Sequence, residues 1–229
     1  MKRLLFYVPL VMSLVGSASA AACAATHVDL PVTYTQTGDR YPVLYVRGAG
    51  PMQEAALHSQ EPVIVVTLAE TVRAEQLKDT IKPCIDRIYR TLSDKDNTGL
   101  VGAGSLARDS IIAALNYPDT FGFTAAISPT LNLASTDPLV QRAWESAAHG
   151  QAFVLRASPA DEPNVDDGVI RAVLTAGLGA ALKQAGARVG YLEGLGGTMQ
   201  AWADALPFMT RTFVVYSSSM RGLPVVLRP

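Results

Sequence analysis

Apolar residues follow two different periods along this chain, and the changes of period divide it into short elements. Six apolar segments alternate like half-buried strands or have the β-branched content of buried ones, and they cover residues 28–34, 41–46, 62–68, 100–101, 151–157 and 189–192. The first is predicted to be the edge strand of a hairpin, and the second a buried central strand. Apolar spacings of three and four predict helices over 74–89, 106–117, 139–148 and 170–184. We assign no element to residues 216–229.

Strands that alternate with helices predict an α/β protein with a doubly wound, mostly parallel sheet and helices on both faces. The sequence contains no internal repeat, low-complexity tract or linker. Residues 21–229 are enough for one three-layer domain with a substantial core and short for two. We therefore predict a single domain over 21–229.

The first twenty residues have the layout of a secretory signal peptide. Lys2 and Arg3 precede an apolar run over 4–15, and Ala18-Ser19-Ala20 forms an A-x-A cleavage site. The run is short for a transmembrane span. We therefore predict export of residues 21–229 to the periplasm or the medium. Two alternatives stay open: a first helix of a cytosolic fold, and a lipid-anchored protein processed at Cys23.

The charge balance excludes two classes of partner. Nineteen basic residues stand against twenty acidic ones, and no polybasic or acidic tract interrupts the chain, of which 49% is hydrophobic. Nucleic acids and anionic membrane surfaces select basic patches. Neither is therefore predicted as a partner.

The two cysteines, Cys23 and Cys84, indicate one disulfide if the protein is exported; the alternative is a buried Cys84 and a free or processed Cys23. The three histidines, His27, His58 and His149, are scattered, without the spacing that brings zinc ligands together. We predict no metal and no cofactor.

Residues 100–121 join a strand end, a glycine-rich turn and an apolar helix. Gly102-Ala103-Gly104-Ser105 supplies small residues for a sharp turn, and Pro118 ends the helix. A strand, a sharp turn and a helix in this order form the nucleophile elbow G-x-S-x-G, in which the next backbone N–H forms half of an oxyanion hole. This turn is the candidate centre of the protein's chemistry.

The stretch resembles the elbow of the putative-esterase family of α/β-hydrolases, which includes esterase D-like, enterochelin esterase-like and mycolyltransferase antigen-like proteins. That resemblance implies an α/β-hydrolase fold. Without a gap, residues 102–107 align with the family's G-H-S-M-G-G, so that Gly104 stands at the nucleophile position, and Pro118, Asp119 and Phe121 match its P-D-x-F step. A slip of one residue makes Ser105 the nucleophile of an A-x-S-x-A elbow, with a one-residue deletion in the helix. We prefer the ungapped register.

The resemblance also implies the other site residues. The glycine loop after the second strand supplies the second oxyanion N–H, which assigns that role to the backbone of Arg47 and Gly48, beside the N–H of Ser105. The triad acid follows the strand at 151–157, where Asp161 is the best match. An alternative is a solvated acidic loop, with Asp166 or Asp167 near a helix N-terminus.

The position of the base decides the functional prediction. The segment 194–202 resembles the family's G-G-H-x-x-x-W turn, but Thr198 stands in place of the histidine, and no histidine follows His149. A threonine hydroxyl is no base near neutral pH. Gly104 and Thr198 together indicate an esterase-like scaffold that has lost Ser-His-Asp catalysis. Its remaining role is left open between binding of a small acyl or sugar ligand and binding of a protein partner. The alternative is an active carboxylic ester hydrolase that uses Ser105, with His58 or a lysine as its base.

Overall fold

The computed structural model of this chain describes residues 26–30, 34–35, 37–47, 61–132, 137–157, 164–192 and 199–220. Seven strands form one sheet in the order β1-β3-β2-β4-β5-β6-β7. Their bounds are β1 Thr26–Asp29, β2 Val43–Arg47, β3 Ile64–Leu68, β4 Thr98–Ala103, β5 Phe123–Ile127, β6 Ala152–Arg156 and β7 Arg188–Tyr191. Strands β2 to β7 pair in parallel.

The central strands are buried because helices cover both of their faces. Every residue of β2, β3, β5 and β6 is buried, which matches their near-continuous apolar sequences. The predicted mostly parallel α/β sheet is confirmed.

Strand β1 is an edge strand, but the predicted hairpin with β2 is wrong. It pairs antiparallel with β3, with Thr26 opposite Leu68 and Val28 opposite Val66. Strand β2 is unavailable to it, because β3 and β4 flank β2 on both sides. The strand also ends at Asp29, earlier than the prediction of residue 34, and residues 31–33 lie outside the described residues.

The helices connect the strands in the predicted alternation. Helix α1 (Ala74–Gln76) continues through a π-helical turn (Leu77–Ile81) into α2 (Lys82–Ile88). The others are α3 (Ser105–Asn116), α4 (Pro138–Glu145), α5 (Val165–Gln184) and α6 (Met199–Met220), with a short 3-10 turn at Lys95–Asn97. Among the described helices, none is long and apolar enough to cross a membrane.

Two apolar layers, one on each face of the sheet, form the core. The larger contains side chains of α2, α3, α4 and α5, among them Ile85, Ile111 and Leu178. The other contains Met209, Phe213 and Tyr216 of α6, which pack against strand residues such as Phe123. Helix α6 was not predicted; Pro207 and the serines at 217–219 disfavour a helix locally, and its packing on the sheet outweighs that propensity.

Candidate functional site

The turn between β4 and α3 is built on a glycine with positive φ. Gly104 has φ 59° and ψ −125°, a conformation that side chains other than hydrogen disfavour. Its N–H donates to the Ile127 carbonyl at 2.9 Å, and its own carbonyl accepts from the Thr130 N–H at 3.0 Å. The turn is thereby fixed to the segment that follows β5, at the carboxyl edge of the sheet.

Gly102 serves a different purpose, which is close packing. A Cβ on Gly102 would lie 2.5 Å from the Leu106 carbonyl oxygen and 2.7 Å from the Ala107 nitrogen. Only a glycine lets the first turn of α3 pass so near the end of β4. The strand-to-helix angle at Gly104 therefore depends on Gly102.

Ser105 is the first residue of α3 and is exposed to solvent. Its backbone N–H belongs to the first helical turn, where no intrahelical acceptor exists, and so it is available to a ligand oxygen. At Gly104, by contrast, a Cβ would have only one neighbour within 4 Å, the Thr130 Oγ1 at 3.9 Å. The position of Gly104 in the turn therefore has space for a side chain, although glycine has none.

Arg47 ends β2 beside the turn, with Gly102 of β4 as its Cα partner. Its side chain is 5% exposed, donates from Nη2 to the Val72 carbonyl, and lies with Nη2 4.0 Å from Asp109 Oδ2. Burial lowers the pKa of Arg47, and the negative charge of Asp109 raises it in part. Its Nε is buried and has no hydrogen-bond acceptor among the described residues.

A cavity of about 220 Å³ lies between β2, the start of α1 and helix α3, and Arg47 lines it. Its polar lining also includes Glu70, Thr71, Arg73, Glu75, Asp109 and Asn116, so that three carboxylates accompany the two guanidinium groups. The Asp109 side chain is half exposed. An unsatisfied buried N–H donor favours a ligand oxygen, because leaving the donor unpaired costs free energy. Arg47 connects this cavity to the turn, because it lines the cavity and pairs with Gly102 of β4. Neither Gly104 nor Ser105 is among the lining residues.

A second buried arginine ends β6 at the same edge. Arg156 is 2% exposed, and its Nη1 lies 3.4 Å from the Ser128 Oγ. Ser128 has φ 45°, and its N–H donates to the Arg156 carbonyl at 2.6 Å. Neither arginine's side chain was singled out from the sequence; the available signal was a cation at the end of an otherwise apolar buried strand.

The structure brings three of the predicted site residues to one edge of the sheet: Arg47, Gly104 and Ser105. Gly48, Asp161 and Thr198 lie outside the described residues, as does His58. His149 precedes β6 and therefore lies toward the opposite, amino-terminal edge of the parallel sheet. Asp166 and Asp167 occupy the first turn of α5, as the alternative interpretation of that acidic segment predicts.

Comparisons with known proteins agree with this architecture. Residues 67–177 match the model of the family described as putative esterase. Similar solved structures include ferric enterobactin esterase from Salmonella typhimurium, at 12% identity and a TM-score of 0.63 over 86% of this chain and 54% of that chain. The CE1 ferulic acid esterase of Anaeromyces mucronatus, solved with ferulic acid, has 16% identity and a TM-score of 0.60 over 82% of this chain and 85% of its own.

The enterobactin esterase of Shigella flexneri, solved in the presence of 2,3-dihydroxy-N-benzoyl-serine, has 14% identity and a TM-score of 0.61 over 86% of this chain and 56% of that chain. The present chain thus spans about half the length of the enterobactin esterases. No curated protein sequence matches it. At these identities the likeness concerns the fold.

Proposed function

Since residues 67–177 place this chain in the putative-esterase family of α/β-hydrolases, we propose that it is an exported, esterase-like protein that has lost Ser-His-Asp catalysis and binds a small acyl ligand. The ligand lies at the carboxyl edge of the sheet, between the Gly104 turn and Arg47. The family match supports the esterase-like scaffold. The loss of catalysis, the binding of a ligand and the export are what we propose.

The observation that carries the proposal is the backbone of Gly104. In a nucleophile elbow the nucleophile occupies the strained vertex between strand and helix. Here the vertex, at φ 59° and ψ −125°, is Gly104, and Ser105 has already entered the helix. A glycine has no hydroxyl to attack an acyl carbon, so covalent catalysis is absent at this position.

The missing base supports the same conclusion. A serine hydroxyl needs a neighbouring base to become nucleophilic. The sequence has Thr198 at the position where the family carries histidine, and His149 is on the wrong side of the sheet. His27 lies on β1, which is separated from β4 by β3 and β2. Neither described histidine is therefore a partner of Ser105.

Ligand binding is supported by two hydrogen-bond donors near the carboxyl edge of the sheet. The Ser105 N–H and the buried Arg47 Nε are two donors suited to carbonyl or carboxylate oxygens. The acyl compounds in the similar structures, ferulic acid and 2,3-dihydroxy-N-benzoyl-serine, carry such oxygens. We propose compounds of this class as ligands that are bound and not cleaved.

Export is supported by the signal-peptide layout of residues 1–20 and by the state of Cys84. Cys84 is buried and disulfide-bonded. Disulfides persist in oxidising compartments such as the periplasm.

The decisive experiment measures hydrolysis of short-chain p-nitrophenyl esters by the purified protein, by Ser105→Ala and by the double variant Gly104→Ser, Thr198→His. We expect no hydrolysis by the parent or by Ser105→Ala, and measurable hydrolysis by the double variant. The single variant Gly104→Ser is the matched control, because it restores the hydroxyl without a base. In parallel, calorimetric titration of the parent with ferulic acid tests binding.

One outcome would overturn the loss of catalysis: hydrolysis by the parent that Ser105→Ala abolishes, with labelling of Ser105 by a fluorophosphonate probe. The protein would then be an ester hydrolase with a slipped elbow. An inactive parent that binds neither ferulic acid nor 2,3-dihydroxy-N-benzoyl-serine would overturn the ligand class and leave the loss of catalysis standing.

A further inference from the structure

Helix α5 has an apolar outer face. Its inner face is buried in the core through Leu178, Ala181 and Leu182. Its exposed positions between the terminal turns carry no charge; they are Val169, Ile170, Val173, Ala176, Gly177 and Ala180. Val173 is 65% exposed, and Val165, one turn before Val169, is 67% exposed. A helix that is apolar on all sides is normally covered on all sides.

The outer face has a stepped shape. The amino-terminal half carries the branched side chains of Val169, Ile170 and Val173, and the carboxyl-terminal half carries the small residues Ala176, Gly177 and Ala180. A Cβ at Gly177 would meet nothing within 4 Å. Glycine inside a helix costs about 1 kcal/mol relative to alanine. Nothing within the described part of the chain requires it there, and a glycine at this position would let another helix approach closely.

The ends of α5 carry opposite charges. Asp166 and Asp167 lie in the first turn, and Lys183 lies in the last. The charged Arg171 in between is half-buried and lies with Nη1 3.4 Å from the Pro129 carbonyl oxygen, away from the outer face. A second α5 running antiparallel would therefore meet opposite charge at both ends.

We propose that the outer face of α5 binds a second copy of this chain, with the two α5 helices antiparallel about a twofold axis. One register satisfies every feature at once: Val173 of each copy faces Gly177 of the other, Ile170 faces Ala180, and Asp167 faces Lys183. Branched side chains then fill the depression over the small residues, and the contact is self-complementary, as a twofold interface must be. The inference is independent of the proposed ligand and of catalysis.

The expected complex is modest in strength. A contact centred on one helix from each copy lies at the small end of specific interfaces, below about 1,200 Å² of total buried surface. We therefore expect a concentration-dependent monomer–dimer equilibrium. The oligomeric state is measured by sedimentation velocity over a concentration series of the purified protein.

Two substitutions test the contact with little risk to the fold. Gly177→Leu places a side chain in open space on the monomer and blocks close approach, and Val173→Glu puts a charge at the centre of the face. Each is expected to weaken dimerisation at least about tenfold, that is by about 1.4 kcal/mol, while the thermal midpoint of the monomer is unchanged or, for Gly177→Leu, raised. Ile88→Glu, at an exposed apolar position on α2, is the matched control and is expected to dimerise like the parent.

The register is tested by charge reversal. Asp167→Lys and Lys183→Asp are each expected to weaken the dimer, and the double variant is expected to restore it. A protein that stays monomeric at the highest concentration overturns the proposal. A dimer that Gly177→Leu and Val173→Glu leave intact also overturns it, because another surface would then be responsible.

Discussion

A Cβ added to Gly102 would lie 2.5 Å from the carbonyl oxygen of Leu106, so the end of β4 and the first turn of α3 are in direct backbone contact. We expect Gly102→Ala to lower the free energy of unfolding by about 3 kcal/mol, because the backbone must move apart to admit a methyl group. Gly104→Ala is the matched comparison. It meets open space and has only the cost of a strained backbone conformation, about 2 kcal/mol. Urea denaturation of both variants checks the order, and equal losses would contradict the packing role of Gly102.

The fully buried carboxylate of Asp137 connects α3 to α4. It accepts from Arg108 Nη1 at 2.8 Å and from the Leu139 N–H at 2.7 Å, and also from the Asn132 N–H. Burial alone raises the pKa of Asp137, but these hydrogen bonds outweigh it and hold the pKa below its usual 3.8. The carboxylate therefore stabilises the fold above pH 3.8, and this stability is lost as the pH falls through the lowered pKa of the folded state.

We expect Asp137→Asn to lower the free energy of unfolding by about 2 kcal/mol at pH 7. The difference from the parent should shrink as the pH is lowered below 3.8, because the parent loses the same charge. Denaturant titrations at a series of pH values measure the difference. Asp119→Asn, at an exposed position of the turn before Phe121, is the control with no expected effect, and a pH-independent difference for Asp137→Asn would contradict the account.

Cys84 is disulfide-bonded, and Cys23, the other cysteine of the chain, lies outside the described residues. We expect the bond to join these two cysteines and to tie the amino-terminal segment to α2. Its removal should lower the free energy of unfolding by about 2–5 kcal/mol. Peptide mapping without reduction identifies the pair, and thermal unfolding with and without dithiothreitol measures its effect. Cys23→Ser should reproduce the effect of reduction, and a Cys23→Ser variant that still responds to dithiothreitol would exclude the pair.

Arg47 is buried, donates to the Val72 carbonyl and lines the cavity beside which we propose that the ligand binds. We expect Arg47→Met to leave the free energy of unfolding within about 1 kcal/mol of the parent, because removing a buried charge offsets the loss of its hydrogen bond to Val72. Affinity for the acyl ligand should fall about tenfold, since a buried donor is lost. Arg73→Met, an exposed arginine on the same cavity, should leave the affinity unchanged in calorimetric titration. An equal loss for both variants would show that general positive charge, and not the buried Nε, attracts the ligand.

Phe213 anchors α6 to the sheet. Its side chain is fully buried, and its ring centroid lies 5.2 Å from that of Phe123 on β5. We expect Phe213→Ala to lower the free energy of unfolding by about 4 kcal/mol through loss of apolar contact and the cavity left behind. Arg211→Ala, at an exposed position two residues earlier whose ion pair with Glu61 lies at the surface, should cost less than about 1 kcal/mol. Similar losses for the two variants would contradict the anchoring role.

Most of the helices and strands could be predicted, because the spacing of apolar residues along the chain indicates which side chains are buried. The β-branched run of β3 and the helical spacing of α3 each follow from residues that are neighbours in sequence, and the structure confirms both. Gly102 and Gly104 also marked the sharp turn correctly, since small residues are needed wherever backbone segments meet closely.

Which segments pair was decided by tertiary structure. Strand β1 pairs with β3 because both sides of β2 are occupied, and α6 forms despite Pro207 because its apolar side chains cover the sheet. The buried placement of Arg47 beside Asp109 likewise joins residues sixty-two positions apart, which no local pattern reports. The periodicity of apolar residues identifies the side chains that are buried. It does not identify the distant segments that pack against them, and the site at the sheet edge is formed by such segments.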